Sequence, residues 1–344
     1  MIGMKMREQI MISELTTMRI GGPARYVVEI EQVEDLCWAY EFAEEQGLPV
    51  WVMGEGANTI GHDRGFNGVI ILNRLRGIEI IAEDEKTMTL RGMAGENWDR
   101  FVEFTTARGL SGIETLSKIP GTLGAAPVQN IGAYGRDASQ VLESVEVFDT
   151  KTREITIIPK SKMNLSYRSS RFNQGEDVGR FVIVSVTMKL SKEQTLSTPF
   201  YDSLQRYIDE HNVTDFSPQN IRQMVSTIRA DKLPDPQFVA SSGSFFKNIY
   251  LNKNEADEAE QKGIPLWRNE DGSGKINSGW LIEQCGLKGK QLFGFRVSKK
   301  AALVLINESA TSYIELDKAR TEIRQKVLEK FGYELQQEPV EISE

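Results

Sequence analysis

An α+β fold in two or three domains is what the sequence predicts, and three observations carry that reading. The chain has 344 residues, long for a single core. Its first half alternates apolar strands with amphipathic helices and then turns to hairpin-like alternation. Around residues 191 to 217 the composition becomes polar, with "SKEQTL", "DEHNVTD" and "SPQN", which suits a linker holding a short helix.

Each element has its own signal. "ARYVVEI" and "LPVWVMG" read as strands, with the amphipathic "VEDLCWAYEFAEEQG" between them ending at Gly47. "NGVIIL" is a further strand, "IEIIAEDEKTMTLRGMAG" a hairpin, and "NWDRFVEFTTARG" a helix. After a glycine-spaced loop, "ESVEVFDT", "REITIIP" and "RFVIVSVTMKL" alternate as antiparallel strands do. Beyond the linker, Ser217 caps a helix "PQNIRQMVSTIRADK" that stops before "LPDP". "SGWLIEQCGLKG" is a short helix closed by glycine and "AALVLIN" a buried strand. In the last helix Leu316, Ala319, Ile323, Val327 and Phe331 share one face that ends at Gly332.

Composition narrows the chemistry. A net charge of −8 repels nucleic acid and anionic membrane, so any phosphate must meet a local cluster of Lys and Arg. No apolar run reaches the ~20 residues of a membrane span, and the first 17 residues do not read as a signal peptide. With Cys37 and Cys285 far apart, reduced core thiols in a cytoplasmic protein are expected. Only His62 and His211 are present, which argues against a zinc site, with no metal expected, and against a Ser-His-Asp triad. Proton transfer falls to Ser, Tyr, Lys, Arg or Glu, or a cofactor carries the chemistry.

Two glycine loops suggest which cofactor. "GEGANTIGHDRG" starts at Gly54 after an apolar strand, yet it continues into strand where a dinucleotide fingerprint needs a helix. Consecutive backbone N–H groups in such a turn still form an anion-binding concavity, and an ordinary tight turn is the equal alternative. "GLSGIETLSKIPGTLGAAPVQNIGAYG" adds glycines at 109, 112, 121, 124, 132 and 135. Small residues at this density mean close approach, to another backbone or to a flat ligand. Two such loops suit a long dinucleotide, its diphosphate over one and its ring against the other. The stretch "SSGSFFKN" sets Ser244 beside Phe245 and Phe246, a hydroxyl placed somewhere dry.

"IPGTLGAAPVQNIGAYG", "LSYRSSRF", "KLPDP", "SGSFFKN", "SGWLIEQCGLKG" and "AALVLIN" occur in the order and spacing of one family. From about Thr16 to Glu338 the chain resembles the UDP-N-acetylenolpyruvoylglucosamine reductases, flavoenzymes that make UDP-N-acetylmuramate for peptidoglycan. The resemblance implies an extension over residues 1–14 and a two-part FAD-binding domain of the vanillyl-alcohol-oxidase type over 15–195, divided near 75. A C-terminal α+β substrate domain over 205–344 would follow. It further implies noncovalent FAD, NADPH as reductant, a nucleotide-sugar substrate, and a monomeric cytoplasmic enzyme.

Residue by residue, Ser244 matches the serine that protonates the substrate carbon. Arg168 and Glu338 match the pair that polarises the enolpyruvyl carboxylate, which asks for a raised pKa at Glu338. Tyr134, Lys232, Asn248, Lys275 and Gln284 match groups about the nucleotide sugar. Gly54, Glu55, Gly56, Ala57 and Asn58 match the first FAD loop. Pro120, Gly121, Gly124, Ala125, Gln129, Asn130, Ile131 and Gly132 match the second.

Three departures stand out. The family's long-loop members carry a tyrosine that closes over the substrate, and residues 169 to 200 hold none, with "NQGEDVG" in its place. Trp267 stands, by its spacing from Lys275, where a uridine-packing tyrosine is usual. Ile249 follows "FFKN" in place of proline. His62 reads as a solvated loop residue and not a covalent flavin link, and Cys285 as a core residue of its helix. Two other functions remain open: an FAD-dependent sugar or alcohol oxidase of the same fold, and a non-catalytic nucleotide-sugar sensor.

Overall fold

The computed structural model describes residues 5–196 and 200–342. Residues 197–199, within the stretch read as a linker, lie outside the described residues.

The strand Phe66–Asn73 is buried at every position but Asn67, as a strand with parallel neighbours on both sides must be. Those neighbours are Pro23–Ile30 and Val50–Met53. The helix Glu34–Glu45 carries the chain from one to the other and lays Leu36, Ala39 and Ala43 against Val28, Ile30, Val69 and Ile71. Lys5–Met11, within the residues read as an extension, pairs antiparallel with Pro23–Ile30 at the sheet's edge.

A second sheet holds five antiparallel strands in the order Glu154–Pro159, Leu142–Asp149, Phe181–Ser191, Thr87–Met93 and Ile78–Glu83. One face packs on the helix Trp98–Thr106 through Trp98, Phe101 and Val102. Asn97 caps that helix by accepting from the Arg100 N–H. The glycine-spaced segment 109–135 runs beside this helix. It is held by the buried Glu114 carboxylate, which takes hydrogen bonds from Ser111 Oγ at 2.6 Å and the Gly112 N–H at 2.5 Å.

The helices Asp202–His211 and Pro218–Lys232 pack together through Leu204, Ile208, Ile221, Val225 and Ile228. Ser217 caps the second, as its sequence position suggests. Arg222 pins it to the helix Trp98–Thr106, donating to both oxygens of Asp99 at 2.5 and 3.0 Å. A four-stranded sheet follows, in the order Ser241–Ser244, Val304–Asn307, Phe295–Val297 and Gln291–Leu292, with the long helix Tyr313–Phe331 packed on it. Beside it lies a three-stranded sheet of Ile249–Leu251, Gly274–Ile276 and Leu266–Arg268.

The chain then turns back on itself. Residues 335–342 leave the last helix and run as a strap toward the first sheet. The Lys247 N–H donates to the Gln336 carbonyl, the Glu338 N–H to that of Phe245, and the Val340 and Ile342 N–H groups to those of Asn58 and Ile60. Ile342 is 2% exposed and sits among Ile12, Ala24, Val27, Phe66 and Ile70, a core formed by residues more than 270 positions earlier. Truncating Ile342 to Ala is expected to cost about 2–4 kcal/mol. Chemical denaturation followed by tryptophan fluorescence checks this, and an unchanged midpoint would show the strap to be unanchored.

Candidate active site

Arg168 occupies a left-handed backbone position, φ +52°, in the tight turn where Ser166 and Ser169 exchange backbone hydrogen bonds. Asn130 braces that turn: its Nδ2 donates to the Ser166 carbonyl at 3.2 Å and its Oδ1 accepts from the Ser139 N–H. The guanidinium is thereby aimed so that Nε donates to Glu338 Oε1 at 2.7 Å and Nη2 to the Gly132 carbonyl at 3.2 Å. Glu338 approaches from the opposite direction on the strap, and its other oxygen takes no hydrogen bond from the described residues.

Burial pushes the Glu338 carboxyl above its ordinary value, against the opposing pull of the Arg168 and Lys247 charges. The raised pKa expected from its chemistry is therefore present.

Ser244 precedes Phe245, whose carbonyl accepts from the Glu338 N–H, so the strand carrying Ser244 runs beside the strap. The strand carrying Ser244 slips register between Ser241 and Ser244, with Gly243 at φ +71°. A bulge closed by a left-handed glycine re-aims the following side chain. A Cβ on Gly243 would meet nothing within 4 Å, so conformation and not space requires the glycine. Phe245 and Phe246, both essentially unexposed and packed edge to face at 5.1 Å, anchor the strand. The Ser244 hydroxyl is half-buried and makes no hydrogen bond to the described residues.

The two glycine loops face each other. A Cβ on Gly54 would fall 2.3 Å from Thr122 Oγ1, and one on Gly121 would lie 3.9 Å from the Ala57 Cβ. Gly56 packs on the Leu15 carbonyl, Gly124 on Ala94 and Gly132 on the Arg136 carbonyl. Much of this glycine density therefore serves backbone-to-protein contact, while Gly109, Gly121 and Gly135 stand open. Glu55 accepts from the Asn97 amide, and Asn58 Nδ2 donates to the Glu338 carbonyl at 3.3 Å. Pro120 and Ala125 are exposed, Gln129 is half-buried, and Ile131 packs against the second sheet's core.

Around these loops Thr16 Oγ1, Thr115 Oγ1 and Arg229 Nε are buried polar atoms without a protein partner. Arg229, which the sequence reading missed, reaches the second loop by donating from Nη2 to the Lys118 carbonyl. Facing loops, open glycines and orphaned polar atoms near them fit a long polar dinucleotide such as FAD.

Next to Arg168 lies an aromatic group. The rings of Tyr134 and Tyr201 meet at 5.8 Å, those of Tyr201 and Trp267 at 6.2 Å, and those of Tyr167 and Tyr250 at 4.4 Å. Lys275 Nζ stands 4.7 Å from the centre of the Trp267 ring, and Asn248 bridges by donating its N–H to the Tyr167 hydroxyl and accepting from the Ser278 N–H. Tyr201 lies just beyond the segment that lacks a tyrosine. Residues 169 to 200 hold none, but the next residue does, and the helix that follows sets it between Tyr134 and Trp267.

Not every expected residue arrives. Lys232 ends its helix exposed, and the Asn130 side chain is spent on protein contacts. Gln284 is exposed at the far end of the helix Ser278–Gln284, about 10 Å from the end near Asn248, with its carbonyl taken by Lys330. His62 is not solvated: its Nε2 lies 2.9 Å from Glu341 Oε2 and its ring stacks on Tyr313 at 3.8 Å. Cys37 and Cys285 are both free and only half-buried, at the margins of the cores.

A family profile described as "FAD binding domain" matches residues 24–157. Another, described as "UDP-N-acetylenolpyruvoylglucosamine reductase, C-terminal domain", matches residues 235–342. Fold and facing loops together define a flavoprotein. The UDP-N-acetylenolpyruvoylglucosamine reductase of Pasteurella multocida (strain Pm70) is 38% identical over 324 residues, 94% of this chain and 93% of the relative. That of Escherichia coli (strain K12) is 38% identical over 325 residues, 94% and 92% of the two chains. The crystal structure of UDP-N-acetylenolpyruvylglucosamine reductase from Thermus caldophilus shares the fold, with a TM-score of 0.66 over 99% of this chain and 100% of that one, at 23% identity. The chain belongs to the UDP-N-acetylenolpyruvoylglucosamine reductase family, and the α+β expectation holds.

The buried carboxyl gives a pH test. A carboxyl raised in the folded state contributes stability that is full below its unfolded value, near 4.5, and is lost as pH rises through the folded one. Glu338→Gln should therefore gain stability relative to the parent as pH climbs above that value. Urea titrations across the acid range check this, and a difference independent of pH would place the Glu338 carboxyl at its ordinary value.

Proposed function

We propose that this protein reduces the enolpyruvyl double bond of UDP-N-acetylglucosamine enolpyruvate to give UDP-N-acetylmuramate, with NADPH as reductant. The observation that carries the reading is the Arg168–Glu338 pair, with the Glu338 backbone hydrogen-bonded to Phe245, the residue after Ser244. FAD, held between the loops at residues 54–58 and 120–132, would supply the hydride chemistry that couples NADPH to the terminal enolpyruvyl carbon.

The chain's own residues handle the charge and the proton. Hydride addition pushes the double-bond pair onto the carbon beside the carboxylate and into the carboxylate itself. Arg168 meets that charge with a rigid, permanently cationic fork. Glu338, kept protonable by burial, adds a hydrogen bond from its free oxygen. Ser244 then gives its proton to the carbon. Serine is a weak acid, so transfer requires a strongly basic acceptor at short range.

Lys275 suits the diphosphate. Burial and the Arg168 charge lower its pKa, and an arriving anion reverses that penalty. Trp267 supplies a stacking face for uracil. Tyr201, beside Tyr134 and Trp267, takes the closing role. An oxidase of the same fold has no use for a serine acid, and a silent sensor none for the aligned trio. The reading includes domains at 15–195 and 205–344 and a cytoplasmic monomer acting in peptidoglycan precursor synthesis. Among the described residues no helix is long and apolar enough to cross a membrane.

Two outcomes are expected. Because Glu341 and Tyr313 engage His62, FAD should be noncovalent, and acid precipitation should leave the yellow colour in solution. Colour retained in the washed pellet and lost in His62→Ala overturns that. Ser244→Ala should bleach with NADPH at the parent rate yet slow about 10²–10⁴-fold in reoxidation by the enolpyruvyl sugar, the scale of general acid catalysis. Rapid-mixing absorbance of the separate half-reactions decides it, and equal slowing of both would assign Ser244 a structural part only.

A further inference from the structure

The three-stranded sheet sets three side chains in one row. Tyr250 and Trp267 sit on the two outer strands, and each is the antiparallel partner of Lys275 on the middle one. Directly opposed residues project from the same face of a sheet. The ring contact between Lys275 Nζ and Trp267 confirms the arrangement on one side. Neighbouring strands lie about 4.8 Å apart, so the two aromatic residues stand roughly 10 Å apart with the ammonium between them. Lys275 forms no ion pair with any carboxylate among the described residues.

The row continues past Tyr250. Its ring, 48% exposed, leans on the Tyr167 ring at 4.4 Å, and the Arg168 guanidinium lies 5.2 Å from the centre of that second ring. Read along the site, the order is aromatic ring, ammonium, aromatic ring, guanidinium. A sugar joined to a nucleoside diphosphate and bearing a carboxylate offers the complementary order of base, diphosphate, pyranose and carboxylate. A pyranose presents a face of C–H groups that needs an apolar partner, and its hydroxyls point outward in the ring plane. A half-exposed tyrosine offers such a partner, with a phenol at its edge for a hydroxyl.

We propose that Tyr250 is a specificity residue of this site, its ring lying against the pyranose while Lys275 receives the diphosphate and Trp267 the base. The proposal rests on the nucleotide-sugar reading above and adds the residue that distinguishes a nucleotide sugar from the bare nucleotide. Its strand is held in place by Asn248, two residues earlier, through the Tyr167 and Ser278 contacts. Tyr250 thus belongs to the ordered wall of the site.

The test compares two probes, UDP and UDP-N-acetylglucosamine, by calorimetric titration of the FAD-loaded full-length protein. Tyr250→Ala should weaken UDP-N-acetylglucosamine about tenfold, the scale of a lost aromatic stacking contact, and leave UDP within about twofold. Retained UDP affinity shows in the same experiment that the variant is folded. Tyr250→Phe should keep most of the sugar-dependent gain, and Trp267→Ala should weaken both probes by the same factor. Equal losses for the two probes in Tyr250→Ala, or no loss for either, overturn the proposal. If Trp267→Ala changes neither probe while Tyr250→Ala still discriminates between them, the base assignment falls and Tyr250 stands. A parent protein that binds neither probe overturns the nucleotide-sugar reading and the proposal with it.

Discussion

The ion pair between Arg168 and Glu338 is the contact on which the rest of the architecture turns. Its partners lie 170 positions apart: Arg168 in a strained turn beside the second sheet, Glu338 on the strap that follows the last helix. Bringing them to 2.7 Å requires the strap to cross from the third sheet to the first. That crossing is secured at several points. Ile342 is buried among first-sheet residues. Glu341 accepts from Arg320, Tyr313 and Gln337 and lies against His62. Burial opposes the Glu341 charge, yet these partners outweigh it and hold the carboxyl at about 2. The adjacent Glu338 has burial and fewer partners, and shifts the other way. Two carboxyls three residues apart are thus assigned opposite protonation tendencies by their surroundings.

The same strap links the first glycine loop to the Arg168–Glu338 pair. Asn58 belongs to the first glycine loop, and it both donates to the Glu338 carbonyl and accepts from the Val340 N–H. The first glycine loop therefore also fixes the depth at which Glu338 enters the site. Local electrostatics complete the arrangement. In a chain of net charge −8, Arg168, Lys275, Lys247 and the half-buried Arg229 lie within electrostatic reach of the Arg168–Glu338 pair. An anionic ligand is favoured there by a local field that the overall charge opposes.

Much of the fold was legible in residue order. "NGVIIL" was legible as a strand because its apolar run is continuous, and the cap at Ser217 because its side chain satisfies an orphan N–H group. The glycine loops were legible as places of close approach. Which surface each glycine approaches was not: Gly54, Gly56, Gly124 and Gly132 turn out to meet protein, because a missing Cβ is the same signal for backbone and for ligand. Tyr201 was missed for a related reason. A boundary drawn one residue short cannot reveal which helix start will carry a ring into a site.

By itself the sequence determined the local elements, the scarcity of histidine that leaves proton transfer to other side chains or to a cofactor, and motifs long enough to reveal a family. Tertiary structure alone decided which residues meet. Gln284 lies on a recognisable motif yet ends its helix in solvent, and His62 looks like a loop residue yet is clasped by Glu341, 279 positions later. Tyr250 gains its place only because strand register sets it across from Lys275. The reason is physical. Helix and strand periods are encoded by neighbours in sequence, whereas the protonation of Glu338 and the row of Trp267, Lys275 and Tyr250 depend on burial and register. Both of those come from contacts between segments that sequence distance does not relate.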